Sequence, residues 1–314
     1  MTKRVTILTI VLGGAILVGA VIVVVARSEN GSGSGSTAKQ GERTATASLT
    51  APAAAAVWPW PRAARDKAII WAVGDGADGG VNGAKVAGLI ARARPDRLLY
   101  LGDVYDTGSA AEFATHYAPS FGRLAKRTAP TPGNHEWPRR ETGYRPYWRS
   151  FLAANPPGYY GFKLAGWELL SLNSEAPHGR ASAQLRWLNR RLRGRGTCRL
   201  AFWHRPRYSA GTHGDQVDVE PFWDALEGHA RVVVNGHDHN MQRLRPTRGM
   251  VGLIAGAGGH SLYPLNRRYR RLAFANDAAY GALRLELTPG RAAYTFVSAS
   301  GRTLDAGRVR CRRA

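Results

Sequence analysis

Polar side chains of the metal-binding type follow several short apolar runs in this sequence. Asp75, Asp103 and His204 each come directly after such a run, and His237 and His239 follow another. Runs of this length are typical of buried strands, and open α/β sheets bind ligands at the carboxyl ends of their strands. Carboxylate oxygen and imidazole nitrogen suit Mn, Fe, Zn or Mg better than a soft metal. The spacing therefore predicts a metal site at one edge of a sheet.

Taken alone, each of these residues has an ordinary structural explanation. An Asp that follows a strand is commonly a turn or helix-capping residue. Asn134, which follows Pro132 and Gly133, is a further candidate ligand with a weak signal of its own. The pair His237 and His239 is more specific, because two imidazoles at alternate positions can converge on metal ions. The ordered set is thus more informative than any one member.

The elements that must position these residues form an α/β body that begins near residue 58. The pattern predicts strands at 68–73, 97–101, 159–164, 167–173, 199–203, 231–235, 282–287 and 292–298. It predicts helices at 81–94, 109–122 and 181–193. A strand–helix–strand unit as short as the first one implies two parallel strands joined by a right-handed crossover.

The ordered motifs resemble those of the calcineurin-like metallophosphoesterases over residues 66–300. The motifs are Gly74-Asp75, Gly102-Asp103-Val104-Tyr105-Asp106-Thr107-Gly108, Gly133-Asn134-His135-Glu136, His204 and Gly236-His237-Asp238-His239. Residues 203–211 and 234–240 are most similar to secreted bacterial phosphatases related to the purple acid phosphatases. The resemblance implies a four-layer α-β-β-α sandwich of two mixed sheets. It also implies two metal ions, with Fe, Mn or Zn the expected identities.

The resemblance assigns a ligand role to six residues. Asp103 would bridge the two metal ions, Asp75 and His239 would complete one site, and the other would be completed by Asn134, His204 and His237. A metal-bridging water or hydroxide would then be the nucleophile, so that no protein nucleophile is needed.

Three further residues are candidates for roles in catalysis. His135 would face the leaving group or a phosphate oxygen, where an imidazole can stabilise charge or donate a proton. Asp106 would orient His135, and His213 would reach the substrate phosphate. For His213 the alternative is a loop histidine that is hydrogen-bonded to backbone.

Two positions depart from the family's motifs. Ala77 stands two residues after Asp75, where the general family often has His. Purple acid phosphatases have Tyr three residues after the bridging Asp, but Tyr105 stands two residues after Asp103. Near a strand end a one-residue shift turns a side chain to the other face. We therefore expect Tyr105 to be a packed loop aromatic, with metal ligation as the alternative, and the protein not to be purple.

Other candidates near the motifs have weaker signals. Arg205 and Arg207 either contact phosphate or are solvated. The aromatic loop 137–158 either walls the pocket or packs over the sheet, and packing is favoured slightly; loop 260–280 is the second possible wall. Four histidines have no matching context and are expected to be structural: His116, His178, His229 and His260.

The first 57 residues read as a membrane tether. Residues 1–4 are a short basic segment, and the uncharged, mostly apolar residues 5–26 would span ~33 Å as a helix, enough for a bilayer core. Lys3 and Arg4 favour a C-terminal body outside the cytoplasm. Residues 27–57, rich in Gly, Ser, Ala and Thr, are a predicted flexible linker. The alternative is a cleaved signal peptide and a secreted protein, although 5–26 is long for one.

Composition narrows the function classes. The 314 residues, of which 44% are hydrophobic, exclude whole-chain disorder, and 44 basic against 22 acidic residues give a net charge of +22. This excess reflects either a solvated surface or attraction to anionic partners. Cys198 and Cys311 either pair outside the cytoplasm or remain buried thiols.

The predicted function is a membrane-tethered, extracytoplasmic phosphomonoesterase with two metal ions and a phosphate ester substrate. A phosphodiesterase of nucleotides, lipids or wall polymers has the same ligands and remains an alternative. A catalytically weak binding module for anionic polymer or lipid is the alternative from another class. No nucleic-acid partner is expected, because no such module is recognisable.

Overall fold

The apolar run after residue 67 forms the central strand of a mixed sheet. The structure is a computed structural model that describes residues 66–151, 158–194 and 196–313. Strand β1 (Ala68–Val73) is followed by helix α1 (Val81–Arg92) and strand β2 (Arg97–Tyr100). β1 and β2 pair in parallel, as the strand–helix–strand pattern predicts.

The other elements follow the predicted order, with five additional strands. Between β2 and the second sheet lie α2 (Ala110–Glu112), a π-helical turn (Phe113–Tyr117), α3 (Ala118–Ser120), a 3₁₀ helix (Gly122–Arg127), β3 (Thr128–Pro130) and α4 (Tyr144–Arg149). Then come β4 (Tyr160–Leu164), β5 (Trp167–Ser171), α5 (Ala183–Arg191), β6 (Arg199–Trp203), a 3₁₀ turn (Val217–Val219), α6 (Glu220–Leu226) and β7 (Val232–Asn235). The last strands are β8 (Met241–Leu244), β9 (Val251–Ala255), β10 (Leu272–Asn276), β11 (Gly281–Thr288), β12 (Arg291–Ser298) and β13 (Thr303–Arg310). The pattern did not predict β3, β8, β9, β10 or β13.

These strands form two mixed sheets, which confirms the α/β fold predicted from the sequence. The first sheet has the order β13-β12-β11-β1-β2-β3, and the second has the order β10-β8-β9-β7-β6-β5-β4. In each sheet the strands that lead to the motifs run parallel to one another. Antiparallel pairing is found at the edge strands β13 and β4.

The second sheet is covered on both faces. Phe202 and Val234 belong to the same apolar cluster as the first-sheet strands, whereas Trp203 packs with Phe222 of α6 and Leu188 of α5 in a second cluster. Burial on both faces explains why β6 and β7 read as continuous apolar runs. Polar ligands therefore find room only at the strand ends.

The single helix predicted at 109–122 is interrupted. Ser109 caps α2 and forms a capping box with Glu112, after which the π-helical turn and α3 follow. Pro119 lacks a backbone N–H and cannot continue the regular hydrogen-bond ladder of a long helix. The predicted start is correct, but the element is a chain of short turns.

The two cysteines form a disulfide. The Cys198–Cys311 bond joins the start of β6 to the segment after β13 across a sequence separation of 113 residues. The disulfide is the first of the two alternatives that the sequence left open, and it attaches the C-terminal strand of the first sheet to the second sheet.

No helix in the described part of the chain is long and apolar enough to cross a membrane. The predicted basic segment 1–4, anchor 5–26 and linker 27–57 all lie outside the described residues. These three assignments stay predictions.

Candidate metal centre

The strand ends bring all six predicted ligands to one edge of the two sheets. Asp75 and Asp103 lie just beyond β1 and β2, and Asn134 lies beyond β3. His204 directly follows β6, and His237 and His239 follow β7. All but Asn134 are buried.

One group of donor atoms surrounds the hydroxyl of Tyr105. Its Oη lies 2.8 Å from Nε2 of His239, 3.2 Å from Oδ1 of Asp75 and 3.3 Å from Oδ2 of Asp103. His239 Nε2 is also 3.7 Å from Asp75 Oδ1. Tyr105 is buried and packed against other rings, as expected of a loop aromatic, but its hydroxyl faces the ligands. This hydroxyl completes a set of two carboxylates, an imidazole and a phenol.

A second group surrounds Nε2 of His204. This nitrogen lies 3.0 Å from Oδ1 of Asn134, 3.0 Å from Nδ1 of His237 and 3.3 Å from Oδ2 of Asp103. The same carboxylate oxygen of Asp103 therefore belongs to both groups. The division into two sets that share Asp103 is the one implied by the family resemblance.

The remaining polar atoms of these ligands are held by the backbone. Nδ1 of His204 bonds the Leu101 carbonyl and Nδ1 of His239 bonds the Ser261 carbonyl, each at 2.8 Å. Asp75 Oδ2 accepts from the His237 amide at 2.9 Å, and Asp103 Oδ1 accepts from the His135 amide at 3.1 Å. Such outer contacts fix the tautomer and orientation of metal ligands.

The donor set fits metal ions because its lone pairs converge. With Nδ1 of His204 donating to a carbonyl, Nε2 presents a lone pair to the oxygens of Asn134 and Asp103. Around Tyr105 a single hydroxyl proton faces two carboxylate oxygens and an imidazole nitrogen. Buried acceptors in mutual contact repel unless a cation lies among them. Nitrogen and oxygen donors of this kind suit Fe, Mn or Zn.

Without a metal ion, a proton takes the cation's place. Burial alone lowers the pKa of His204, but the charge and hydrogen bond of Asp103 raise it to about 10. Burial alone would raise the pKa of Asp103. The charge and hydrogen bond of His204 outweigh burial and hold the pKa of Asp103 well below its ordinary value. Burial raises the pKa of Asp75, while burial and the His204 charge lower the pKa of His237. Burial lowers the pKa of His239 to about 4.

Metal uptake at pH 7 is therefore expected to release a proton from His204. Because the pKa of His204 is about 10, the imidazolium is the resting form at pH 7 and must lose its proton before Nε2 can bind a metal. The affinity for metal should rise by about tenfold per pH unit below that pKa. Titration calorimetry in buffers of different ionisation enthalpy checks this, and heats that do not depend on the buffer would contradict it.

Backbone strain is concentrated at the ligands. Asp75, Asp103 and His237 have positive φ angles of 59°, 66° and 70°, a region that non-glycine residues seldom occupy. Gly133 allows the chain after β3 to approach the centre, because a Cβ there would lie 2.0 Å from Oδ1 of Asp103. Strain of this kind persists where the surrounding structure enforces it and is common at functional sites.

His135 lies at the rim of the centre. Its Nε2 is 3.8 Å from Oδ2 of Asp103, and its Nδ1 bonds the backbone carbonyl of Asp106 at 2.6 Å. The contact with Asp106 thus uses the main-chain oxygen, not the carboxylate expected from the sequence. Glu112 holds this carbonyl in place by accepting hydrogen bonds from the amides of Asp106 and Thr107.

His213 lies on the opposite rim, where its ring stacks on His237 at 4.0 Å between centroids. Its Nδ1 is 3.1 Å from Oδ1 of Asp238, and its amide donates to the same oxygen. Because an ionised carboxylate only accepts hydrogen bonds, this contact places a proton on Nδ1 and turns Nε2 away from Asp238. The His213 ring is therefore hydrogen-bonded to a carboxylate side chain, not to backbone as the alternative from the sequence expected.

The structure adds two residues that the sequence did not assign to the site. The His260 ring lies 4.0 Å from the Tyr105 ring, and the Tyr263 ring stacks on His239 at 4.0 Å. Both follow β9, which the sequence analysis did not predict; an apolar run before a Gly-rich segment was the available signal. His116 also contacts this region, through the Tyr105 carbonyl at 2.6 Å.

Other candidates have structural partners. Arg205 pairs with Glu175 and Arg207 with Glu220, so both guanidinium groups are engaged by carboxylates. Glu136, for which no role is predicted from the sequence, accepts a hydrogen bond from the Asp103 amide at 3.1 Å. Burial and the charge of Asp103 raise the pKa of Glu136 to about 8.

Two aromatic residues of the described part of this loop, Tyr144 and Trp148, pack in the first apolar cluster. Tyr144 and Trp148 are buried, and Trp148 contacts Tyr117 in the first apolar cluster. Packing over the sheet was the favoured expectation for these residues. Residues 260–263 of the second loop contact the Tyr105 side of the centre, as the His135 ring also does.

Comparisons with known proteins agree with this geometry. The profile described as calcineurin-like phosphoesterase matches residues 63–241. Tartrate-resistant acid phosphatase type 5 of Sus scrofa is 28% identical over 44% of this chain and 44% of its own length. A probable cyclic nucleotide phosphodiesterase of Synechococcus is 30% identical over 54% of this chain and 68% of its own. The chain thus spans less than half of the porcine relative.

A solved structure gives the same architecture. The purple acid phosphatase PPD1 of yellow lupin, Lupinus luteus, has a TM-score of 0.66 and 15% identity. The match covers 81% of this chain and 55% of the lupin chain. At this identity the likeness establishes the fold alone.

Proposed function

Because the chain belongs to the calcineurin-like phosphoesterases, we propose that it is a metal-dependent hydrolase that cleaves phosphate monoesters at a centre of two metal ions. Asp75, Asp103, Tyr105 and His239 would hold one ion. The other would be held by Asp103, Asn134, His204 and His237. Two bound ions would supply an activated water nucleophile and offset the charge of the phosphoryl oxygens.

The observation that carries the monoester proposal is a set of three partly exposed imidazoles that border the ligand set: His135, His213 and His260. His135 and His213 are about one-third exposed, at 33% and 34% of their side-chain surfaces, and His260 is half-buried. They contact different parts of the ligand set: Asp103, His237 and Tyr105, respectively. A terminal phosphate has three non-bridging oxygens. Three Nε2–H donors, supplied by His260 and by His135 and His213 as doubly protonated rings, suit such a dianion better than a diester.

The two rim histidines have different roles in this proposal. His135 donates a proton toward the leaving oxygen, with its ring fixed by the Asp106 carbonyl. His213, doubly protonated in the complex, donates Nε2–H to a phosphate oxygen, while Asp238 accepts from Nδ1–H and the ring stacks on His237. General acid catalysis typically contributes about 10²–10⁴-fold in rate, whereas a hydrogen bond to a charged group contributes about 1.5–3 kcal/mol of binding.

Alanine variants of the two histidines should therefore differ in their kinetics. His135→Ala is expected to lower kcat by about 10²-fold for an alkyl phosphate and much less for 4-nitrophenyl phosphate, whose leaving group needs no proton. His213→Ala is expected to raise KM by about tenfold for both substrates. His229→Ala, which lies outside the site, is the control. Equal effects of His135→Ala on both substrates would contradict the assignment.

A phosphodiesterase is the second candidate, because the relative named as a probable cyclic nucleotide phosphodiesterase is matched over 68% of its length. The test is an assay of the chelated full chain against a monoester and a diester of the same alcohol, with Mn, Fe, Zn or Mg re-added singly. Metal-restored turnover that favours the monoester supports the proposal. A preference for the diester would replace it with the second candidate.

The proposed location is the outer face of a cell membrane, with the apolar residues 5–26 as anchor and 27–57 as linker. The Cys198–Cys311 disulfide supports an oxidising compartment, because such bonds are rare in the cytosol. Similarity to the secreted bacterial branch of phosphatases is part of the same proposal. Flotation of the full chain with neutral vesicles tests the anchor, and absence of flotation would favour a secreted or soluble protein.

A further inference from the structure

A cavity lies at the opposite end of the second sheet from the metal centre. Its volume is about 360 Å³. The nine lining residues are Thr197, Gly228, Ala230, Arg231, Arg248, Gly249, Arg310, Cys311 and Arg312. Four of the nine are arginines and none is acidic, so we call this cavity the arginine pocket. It lies at the amino ends of β6 and β7, whereas the metal ligands follow the carboxyl ends.

Three of the four arginines lack an acidic partner. Arg248 pairs with Glu220 and Asp224. In contrast, Arg231, Arg310 and Arg312 form no ion pair with any acidic group in the described ranges. Arg231 donates through Nε to the Arg310 carbonyl, which fixes the two residues relative to each other. Within the part of the chain that the structure describes, the arginine pocket therefore holds three positive charges without an acidic counter-charge.

A like-charged pair on the neighbouring strand adds to this field. Arg291 of β12 lies directly opposite Arg310 of β13. Like charges in that position destabilise a sheet, and arginines on an edge strand also block unwanted pairing. Protection of the sheet edge against unwanted pairing explains the charges on β13. It does not explain why the charges continue into a cavity that has no acidic residue in its lining.

The strand register places the start of the body at the same end. Ala68 of β1 pairs with Leu287, Leu287 pairs with Ala292, and Ala292 pairs with Val309 of β13. The first described residue, Asp66, thus precedes the row of residues that ends beside Arg310. The 65 residues before it include the apolar run 5–26. The chain enters the body at the end that carries the arginine pocket.

We propose that the arginine pocket binds the phosphate headgroups of an anionic phospholipid surface. Guanidinium forks match phosphate oxygens in geometry and charge. The choice of lipid rests on the proposed membrane anchor, whereas the phosphate chemistry rests on the pocket alone. Lipid bound at the arginine pocket would leave the metal centre facing away from the membrane. Along β6 the two ends are about 16 Å apart, which is the length from Arg199 to His204 at the usual rise per residue.

Energy transfer from the protein's tryptophans to dansyl-labelled lipid in vesicles tests the proposal on the full chain. Vesicles of phosphatidylcholine are compared with vesicles that also contain phosphatidylglycerol. The anionic lipid should increase transfer by at least about twofold, and salt at about 0.5 M should reverse the increase. The triple variant Arg231→Gln/Arg310→Gln/Arg312→Gln should show no increase in transfer with the anionic lipid. The charge-matched control Lys85→Gln/Arg268→Gln/Arg302→Gln, at exposed positions outside the pocket, should retain it.

A second measurement keeps the test independent of the variants' folding. Phenylglyoxal labelling of the unmodified chain, read by mass spectrometry, should fall at Arg310 and Arg312 when phosphatidylglycerol is present and stay constant at Arg302. Unchanged labelling, or an equal increase in transfer for the triple variant, would overturn the proposal. Protection by soluble polyphosphate but not by lipid would overturn the lipid and favour a polymer. Flotation with neutral vesicles reports the anchor separately.

Discussion

The Asp103→Asn variant is expected to lose at least about 10³-fold in kcat/KM toward a phosphate monoester while its fold is retained. Oδ2 of Asp103 lies 3.3 Å from Tyr105 Oη and 3.3 Å from His204 Nε2, so one oxygen serves both donor groups. An amide keeps the size of the side chain but removes its negative charge. Both metal ions should then be bound more weakly.

Metal analysis and thermal unfolding accompany this activity assay. Asp305→Asn is the matched control. Asp305 lies on the edge strand β13, away from the centre, and pairs with Arg243 of β8. The control should keep its activity and its metal content. An Asp103→Asn protein that is folded and retains most of its kcat/KM would contradict the bridging role.

Tyr105→Phe is expected to remove a visible tyrosinate absorption band from the iron-loaded protein. The geometry reverses the expectation of a colourless protein, because Tyr105 Oη lies within 3.3 Å of Asp75, Asp103 and His239 donor atoms. Burial and the neighbouring carboxylates raise the pKa of Tyr105, so the phenolate forms only when a cation offsets those charges. Metal affinity should fall by about tenfold or more in the variant.

Visible absorption spectra of the Fe(III)-loaded wild type and variant provide the measurement. Tyr263→Phe is the control, since Tyr263 stacks on His239 but its hydroxyl has no hydrogen bond in the described structure. That control should keep the band. A band that persists in Tyr105→Phe, or no band in the iron-loaded wild type, would exclude Tyr105 as a ligand.

The misjudged position of Tyr105 has a specific physical cause. The two-residue alternation of a strand, if it continued after Asp103, would turn the Tyr105 side chain away from the face that a Tyr at an offset of three reaches. Strand β2 ends at Tyr100, however, and Asp103 itself has a φ of 66°. The pleat no longer dictates direction beyond that point, so an offset of two residues still reaches the centre.

The strands that deliver the ligands were predictable because both of their faces are buried. β1, β6 and β7 are continuous apolar runs, and the polar residue after each run marks its end. β13 was not predictable in this way, since its exposed arginines resemble a loop. β9 was missed because Gly252 interrupts its apolar run and no polar residue follows it directly, and His260 was missed with it.

Long-range partners were beyond sequence reasoning. The contact between His213 and Asp238 joins residues 25 positions apart, and Glu136 reaches the Asp103 amide across 33 positions. Spacing along the chain carries no information on such pairs until the two sheets are packed. The ligand types were therefore predictable, whereas their supporting contacts were not.

The most direct test of the central claim is activity as a function of bound metal. The chelated full chain is titrated with Mn, Zn or Fe, and metal content and monoesterase turnover are measured on the same samples. Two donor groups that share Asp103 predict two ions per chain at saturation, with full turnover only when both are bound. Full turnover with one ion per chain, or turnover that survives complete chelation, would contradict the account.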